Sequence, residues 1–544
     1  MHWGQHLKPS EWAWLRHGPA VLTVVFAGGF VGAVAMVLYA GLAPPAPPEM
    51  LASADTDLVG GHEAADAAEE DETGGDAPEP AGRAAEGEQD TPAPFEGWVD
   101  PASVGTPYGA AVRGLLTFRG NPTRTFYGAG PVPTAPEPVW RYPREAMCSE
   151  SEVGGQTREW CGLGWTGQPA VFERDGRTWV VFGAYDGHVH FVDADTGQQI
   201  LPSFPTGDLI KGSVTVDPDG FPIVYTGSRD NHYRAIAIDG DEPRELWSLW
   251  AFDVAPTLWN NDWDGAGLIL DDYLFVGGEN SQFHVVHLLR GYGEDGRVTL
   301  DPEVVFNAPG WDDELLEATG DHMMSIEGSV MVVGDTVYFA NSGGLVQGWD
   351  ITGLREGVDP ERVFRFWTGD DTDATIVADD QGMLYVASQW ERFTDRGRAV
   401  GQIMKLDPTR PDDPLVWSVH DRGTPRAGVW ATPALDRDVL YVPTDGGRLL
   451  ALDRATGAIR WEKQLAGPVW QSPVVVDDVL IQSDCSGAMR AYDVADTTVE
   501  PPELWTVQLD GCVEATPAVW GGTIYVGTRG GFLHAIADPQ VVQP

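Results

Sequence analysis

Between Gly428 and Trp461 the chain alternates short apolar runs with polar, glycine-bearing turns: GVWATPALDRDVLYVPTDGGRLLALDRATGAIRW. The pattern predicts four short strands. Thr432 to Leu435 is the first, Val439 to Val442 the second, Arg448 to Leu452 the third and Ala458 to Lys463 the outermost. Asp445-Gly446-Gly447 reads as a hairpin turn in which glycine supplies positive φ, and Asp453-x-x-Thr456-Gly457 as the next turn. Trp461 is an apolar wedge on the outer strand. Turn signals this dense imply antiparallel sheet rather than a β-α-β unit.

The same pattern returns along the chain, and the repeat defines the fold class as an all-β, eight-bladed propeller. Copies run from Val469 to Val494, with a Trp505 strand, and from Val513 to Asp538. Earlier copies start at Gln168 and at Gly212, the second with Trp247 on its outer strand. Looser copies begin near Gly265, Gly328 and Ala374. Eight first strands over roughly 380 residues give a spacing of about 45, which suits a four-stranded blade. The last copy lacks its tryptophan strand. A matching stretch, Pro138-Val139-Trp140-Arg141-Tyr142, precedes the first copy and is expected to complete the eighth blade, so that no sheet edge is left free.

Only the first hundred residues depart from globular composition. Ala20 to Leu42 is an uncharged apolar run, long enough to cross a bilayer as a helix and longer than the core of a cleaved signal peptide. Lys8 and Arg16 precede it, which places the N-terminus in the cytoplasm and the rest outside. The expected domains are a cytoplasmic head at 1–19, a transmembrane helix at 20–42, a disordered acidic linker rich in Pro, Gly and Ala at 43–104, and the propeller at 105–540. The linker carries Glu69-Glu70-Asp71-Glu72 and almost no aromatics, so it has too little apolar surface to fold.

The segment GLLTFRGNPTRTFYGAGPVP, from Gly114 to Pro133, and the repeat elements Ala431-Thr432-Pro433-Ala434, Tyr525-Val526-Gly527 and Ala451-x-Asp453-x-x-Thr456-Gly457 resemble bacterial membrane-anchored propellers with PQQ-like repeats, the quinoprotein alcohol dehydrogenase-like superfamily. The resemblance covers about Gly114 to Asp538. It implies the fold firmly and the function loosely. Members include quinone-dependent alcohol dehydrogenases and non-enzymatic envelope scaffolds of outer-membrane barrel assembly.

Four cysteines, Cys148, Cys161, Cys485 and Cys512, lie beyond the apolar run, where disulfides persist. Pairing 148–161 with 485–512 is favoured among three connectivities. Two insertions interrupt the repeat. One spans Asn307 to Met324, where Asp312 is a candidate helix cap; the other, Trp390 to Val400, reads as a lengthened hairpin. Gly162-x-Gly164-x-x-Gly167 precedes a strand and opens no helix, so it does not read as a phosphate loop. His188-x-His190 could pair on one strand face, but a place in a blade explains both histidines without a metal.

Two functional readings follow. Quinone-dependent dehydrogenases hold calcium with Glu, Asn and Asp and use an Asp base; in that resemblance Asn261-Asp262-Trp263-Asp264-Gly265-Ala266-Gly267 looks like the segment carrying such an Asp, with Glu279-Asn280 nearby and PQQ and calcium as the implied cofactors. Against it, no adjacent cysteines and no C-x-x-C-H occur. The favoured reading is a non-enzymatic binding, scaffold or sensor module without cofactor. Aligning the first strands puts Trp165 and Thr166, then Lys211, Trp263, Glu327, Asp373, Trp430, Trp470 and Glu514 at one mouth of the channel. Clustered exposed aromatics mark binding sites, so a protein or small-molecule partner is expected there, with a mere channel plug as the alternative. A net charge of −48 argues against nucleic acid.

Overall fold

A computed structural model of the protein describes residues 95–153, 156–422 and 427–539. In these residues the repeat forms eight antiparallel blades. Blade 1 holds the strands Ala170–Arg174, Arg177–Gly183, His188–Asp193 and Gln199–Pro205. The later blades span 215–250, 268–309, 331–367, 377–419, 434–464 and 474–508. Blade 8 is built from Ala518–Trp520, Thr523–Gly527 and Leu533–Ala537, and its outer strand is Glu137–Tyr142. That strand pairs antiparallel with Leu533–Ala537, Tyr142 facing Leu533, so the ring closes by joining the two ends of the propeller. The second strand of a blade is covered on both faces and is buried along nearly all its length, as in Val439–Pro443, which is why it reads as an apolar run.

The turn and the tryptophan of the repeat are two halves of one contact. Trp140 on blade 8 donates from Nε1 to the Ala194 carbonyl in the blade-1 turn, at 3.0 Å. Trp417 on blade 5 does the same to the Arg454 carbonyl in the blade-6 turn, at 3.1 Å. In each turn a glycine with positive φ, Gly197 or Gly457, lies under the indole, where an added Cβ would come within 2.7 Å of the ring. The threonine and aspartate fix the turn: Asp453 Oδ1 accepts from the Thr456 amide and hydroxyl. A D-x-x-T-G turn is therefore the seat for the neighbouring blade's tryptophan.

Residues 95–129 cover one end of the channel. Trp98 and Val99, assigned to the linker by composition, are buried, and Val99 bridges Gly334 of blade 4. Gly114–Leu115 pairs with the inner strand of blade 1, and Gly128–Ala129 runs parallel to that of blade 8. The carbonyls of Leu116, Pro122 and Thr123 accept from inner-strand amides of blades 2, 4 and 5. The hydroxyls of Tyr108 and Tyr127 accept from Ile269 of blade 3 and Leu435 of blade 6.

Arg119 and Arg124, in left-handed backbone conformation, are fully buried in the axis. Arg119 donates to the carbonyls of Pro433 (2.7 Å) and Pro473 (2.9 Å) on blades 6 and 7. Arg124 donates to the Val330 carbonyl of blade 4, at 2.6 and 2.8 Å. The FRGNPTRT motif is thus the core of an internal plug, and the lead-in from Tyr108 to Ala129 contacts every blade.

Both insertions carry short helices. Asp312 caps Asp313–Thr319, accepting from the Leu315 amide at 3.0 Å. The expected long hairpin at 390–400 instead contains the helix Asp395–Val400, capped by Thr394. Its Gly-Arg-rich sequence hides the helical turn, which packs against Gly369 rather than extending a sheet. Arg392 ties the two insertions together, with Nη1 2.6 Å from Asp321 and Nη2 donating to the Met323 carbonyl. Both favoured disulfides are present, Cys148–Cys161 and Cys485–Cys512.

The head at 1–19, the apolar run at 20–42 and the linker up to residue 94 lie outside the described residues. Among the described residues no helix is long and apolar enough to cross a membrane.

Candidate functional site at the channel mouth

In a blade of four antiparallel strands, the loop entering the first strand and the loop between the second and third open on the same face. Both disulfides and both inserted helices use those loops. The Cys148–Cys161 hairpin enters blade 1, the 311–324 helix enters blade 4 and Cys512 enters blade 8, while the 390–400 helix and Cys485 lie between second and third strands. The opposite end is covered by the lead-in segment. One face is thus decorated and the other capped.

A girdle of hydroxyls sets the mouth's geometry. Ser213 Oγ accepts from the Gln168 amide (2.8 Å), Ser329 Oγ from Ala266 (3.0 Å), Thr375 Oγ1 from Ser329 (2.9 Å), Thr432 Oγ1 from Thr375 (3.0 Å) and Ser472 Oγ from Thr432 (3.0 Å). Each bond joins one blade to the next. The Ser or Thr of the repeat therefore fixes the residue two positions earlier as a mouth residue: Thr166 precedes Gln168 by that offset, and Lys211, Glu327, Asp373, Trp430, Trp470 and Glu514 precede their own girdle residues.

By the same offset the blade-3 member is Asp264, two before Ala266, and not Trp263. Trp263 is fully buried between blades, its ring 5.6 Å from Tyr233 and 5.3 Å from His284, with Gly227 packed against its Cβ. Ala266 replaces the hydroxyl residue in blade 3, so the sequence alignment slipped by one position, and a slip of one exchanges the faces.

One side of the mouth is aromatic. Trp165 and Trp430 have ring centroids 5.9 Å apart, and Trp430 and Trp470 5.8 Å apart. Trp470 Nε1 donates to Asp445 Oδ1 at 2.8 Å. Trp430 and Trp470 are only 7% and 6% exposed, so they wall the mouth and present little ring surface, contrary to the exposed cluster expected; Trp165 is the more open ring.

The next sector carries Glu327 and Asp373. Ser325 Oγ donates to Glu327 Oε1 (2.9 Å), and Ser342 Oγ and Gln389 Nε2 donate to the two Asp373 oxygens (3.0 and 2.8 Å). Between the two sectors lies a cavity of about 10 Å³, lined by Trp165, Thr166, Glu327, Asp373 and hydroxyls of the girdle, and floored by Phe118 of the plug.

The third sector is ionic. Lys211 Nζ lies 2.7 Å from Asp264, 2.8 Å from Glu279 and 3.4 Å from Asp262, and Arg229 Nε is 3.1 Å from Asp262. Burial opposes the charge on Lys211, but Asp264, Glu279 and Asp262 outweigh it and hold its ammonium well above the usual lysine value. Burial also pushes Asp262 up to about 6, with Arg229 pulling the other way.

These are the residues that the dehydrogenase resemblance would give to a calcium ion. Asp262, Asp264 and Glu279 do bring three carboxylate oxygens within 4.8 Å of one another. The lysine ammonium already stands among them, and a divalent ion there would meet a like charge at contact distance. Asn280 faces elsewhere, donating to the Ala251 carbonyl. A tricyclic quinone is far larger than the cavity beside the tryptophans. The donor set does not fit the pair of cofactors.

Glu514 completes the ring. Its carboxyl is buried, 3.7 Å from Arg529, and burial pushes it up to about 7 against the pull of that arginine. The histidines singled out in sequence serve their blades. His190 Nε2 meets Asp186 at 3.1 Å and its Nδ1 meets Ser203 Oγ at 2.9 Å, while His284 is fully buried beside Asn280. Sequence reasoning missed Arg229, Arg529 and Phe118; the two arginines follow Gly-Ser and Gly-Thr at matching blade positions, a signal that alignment of second strands would have shown.

Fold, repeat and plugged channel define the class: this chain is an eight-bladed β-propeller whose repeats resemble PQQ-like repeats. The family model described as outer membrane protein assembly factor BamB matches residues 399–539. Curated relatives of that name are 28% identical over 102 residues in Moranella endobia and 32% over 105 residues in Shewanella oneidensis. Those stretches are 18% and 19% of this chain, and the match spans 25% of each relative's length. Among solved structures, a europium-containing methanol dehydrogenase aligns over 78% of this chain and 98% of its own, at 13% identity and a TM-score of 0.54, a likeness of fold. BamB from Moraxella catarrhalis aligns over 74% of this chain and 98% of its own, at 14% identity and a TM-score of 0.47.

Proposed function

We propose that this protein is a membrane-anchored propeller that binds a protein partner at the decorated mouth, as a non-enzymatic scaffold or sensor in envelope assembly. The observation that carries this reading is the asymmetry of the disk. Both disulfides, both inserted helices and the aromatic-acidic ring share one face, while the lead-in seals the other. Rigid loops around a shallow, mixed apolar and charged centre suit a protein surface better than an enclosed small substrate. The local likeness to assembly factors supports the same direction. The apolar run at 20–42 supplies the anchor, and the disulfides agree with an extracytoplasmic propeller. No quinone or calcium is part of this proposal, because Lys211 supplies the cation among the three carboxylates. The test uses Thr166→Arg, whose guanidinium is too large for the cavity and would block the mouth above it, and Trp165→Ala, which removes the most open ring. Each is expected to lose capture of envelope partners with melting nearly unchanged; retained capture in both would overturn the proposal.

A further inference from the structure

Independently of the partner reading, we propose that Cys485–Cys512 is a thiol–disulfide exchange site, with the buried carboxyl of Glu514 as proton donor to the leaving sulfur and a dithiol as co-reactant. The two cysteines come from different blades. Cys485 sits in the turn between the second and third strands of blade 7, and Cys512 in the loop entering blade 8. Both are partly exposed at the decorated mouth, open to an incoming thiolate. One carboxyl oxygen of Glu514 lies within 4.8 Å of both sulfurs, while Glu514 itself is only 1% exposed. Among the described residues its Oε1 has no hydrogen-bond partner. Burial outweighs the pull of Arg529 and pushes the acid up to about 7, a value suited to giving and regaining a proton near neutral pH.

The other charged groups nearby have their own places. Arg529 lies 3.7 Å from Glu514, and the Tyr185 phenol of blade 1 couples to Glu514, Arg529, Lys211 and Asp264. Asp484, beside Cys485, pairs with Arg490 at 2.7 Å, and Asp510 with His534 at 2.7 Å. Backbone bonds hold the two loops together without the sulfurs: the Val513 amide donates to the Asp484 carbonyl at 3.5 Å and the Leu509 amide to Gly487 at 2.8 Å. A reduced pair therefore stays in place and closes again on oxidation.

In the exchange, a thiolate of the dithiol attacks one sulfur and a new S–S bond forms. The electron pair of the broken bond leaves on the other sulfur, which takes the Glu514 proton. Water reprotonates Glu514. The second thiolate then attacks the mixed disulfide and releases the second cysteine, protonated in the same way. Two electrons pass from the dithiol, which becomes a disulfide, to the cysteine pair, and the two protons that the dithiol sheds to water are matched by the two that the cysteines gain.

Cys148–Cys161 is the control within the same molecule, because it joins facing residues of one hairpin and its neighbouring acid, Glu159, is exposed to water. The full-length oxidised protein in detergent is treated with dithiothreitol from about pH 5.5 to about pH 8.5 and quenched by alkylation. Mass spectrometry reads each pair, and rates are expressed per thiolate. The Cys485–Cys512 rate is expected to fall at least tenfold as pH rises through about 7, while the Cys148–Cys161 rate stays flat. Glu514→Gln should be at least tenfold slower than wild type at the acid end, no slower at the alkaline end, and flat between. A blocked Cys-Gly-Cys peptide that outpaces dithiothreitol marks a protein dithiol as the source and the reverse marks a small dithiol; either supports the site. A flat wild-type profile at Cys485–Cys512, or a Glu514→Gln profile parallel to wild type, would overturn the proposal. Should Glu514→Gln not fold, the wild-type profile set against Cys148–Cys161 decides it.

Discussion

Lys211 and Asp264 enter different blades, yet their side chains meet at 2.7 Å beneath the channel mouth. That contact joins blade 2 to blade 3 through charge and places an ammonium where three carboxylates converge.

Lys211→Met is expected to destabilise the protein by about 3–5 kcal/mol, because Asp264 and Glu279 would stay buried without their cation. Burial already holds Asp264 well above the ordinary carboxylate value against the pull of Lys211, and losing the lysine raises it further. The loss should therefore be smallest in acid, below the ordinary carboxylate range, and grow as pH rises above it. Denaturant melts at pH 5 and pH 8 check this. An equal loss at both would remove the ionic account.

Glu514 gives a second pH test. Its folded value of about 7 lies above an ordinary 4.5, so folding favours the protonated form. Stability should fall as pH rises from about 4.5 to about 7, by an order of about 3 kcal/mol. Glu514→Gln should abolish that slope and be the more stable protein at pH 8. A Glu514→Gln profile parallel to wild type would contradict the assignment.

The plug predicts an uneven response to truncation. Removing residues 1–94 should leave propeller melting unchanged. Removing residues up to Arg144 should abolish a cooperative melt, since it takes away Arg119, Arg124 and the outer strand of blade 8. Arg119→Met alone should cost several kcal/mol, as it strands the carbonyls of Pro433 and Pro473 in the axis, at about 1.5–3 kcal/mol for each charged hydrogen bond.

Topology is open to a direct check. Protease added to spheroplasts should cut within the linker at 43–94 and release the propeller, as Lys8 and Arg16 before the apolar run require. Protection of the propeller in intact spheroplasts would reverse the orientation.

The blades were legible because each repeat states its own contacts. The D-x-x-T-G turn and the tryptophan that sits on it are local patterns, and the orphan strand with Trp140 could be matched to the blade that lacked one. The plug was not legible. Arg119 and Arg124 bond to carbonyls of residues hundreds of positions away, and carbonyls leave no mark in sequence.

The mouth was read in part. Thr166, Lys211, Glu327, Asp373, Trp430, Trp470 and Glu514 follow from the girdle offset, whereas blade 3 lost its hydroxyl and shifted the choice from Asp264 to Trp263. Burial of Trp430 and Trp470 by one another was also invisible, because the strand pattern gives a residue's side but not its neighbours across the channel.

The central claim is that the decorated mouth is where a partner binds. A photo-crosslinking amino acid placed at Thr166, and another at exposed Asp219 on the plugged face, tests it in living cells. The account predicts a discrete crosslinked protein from position 166 that disappears in the Trp165→Ala background, and none from position 219. Crosslinking from position 219 with silence at position 166 would contradict it.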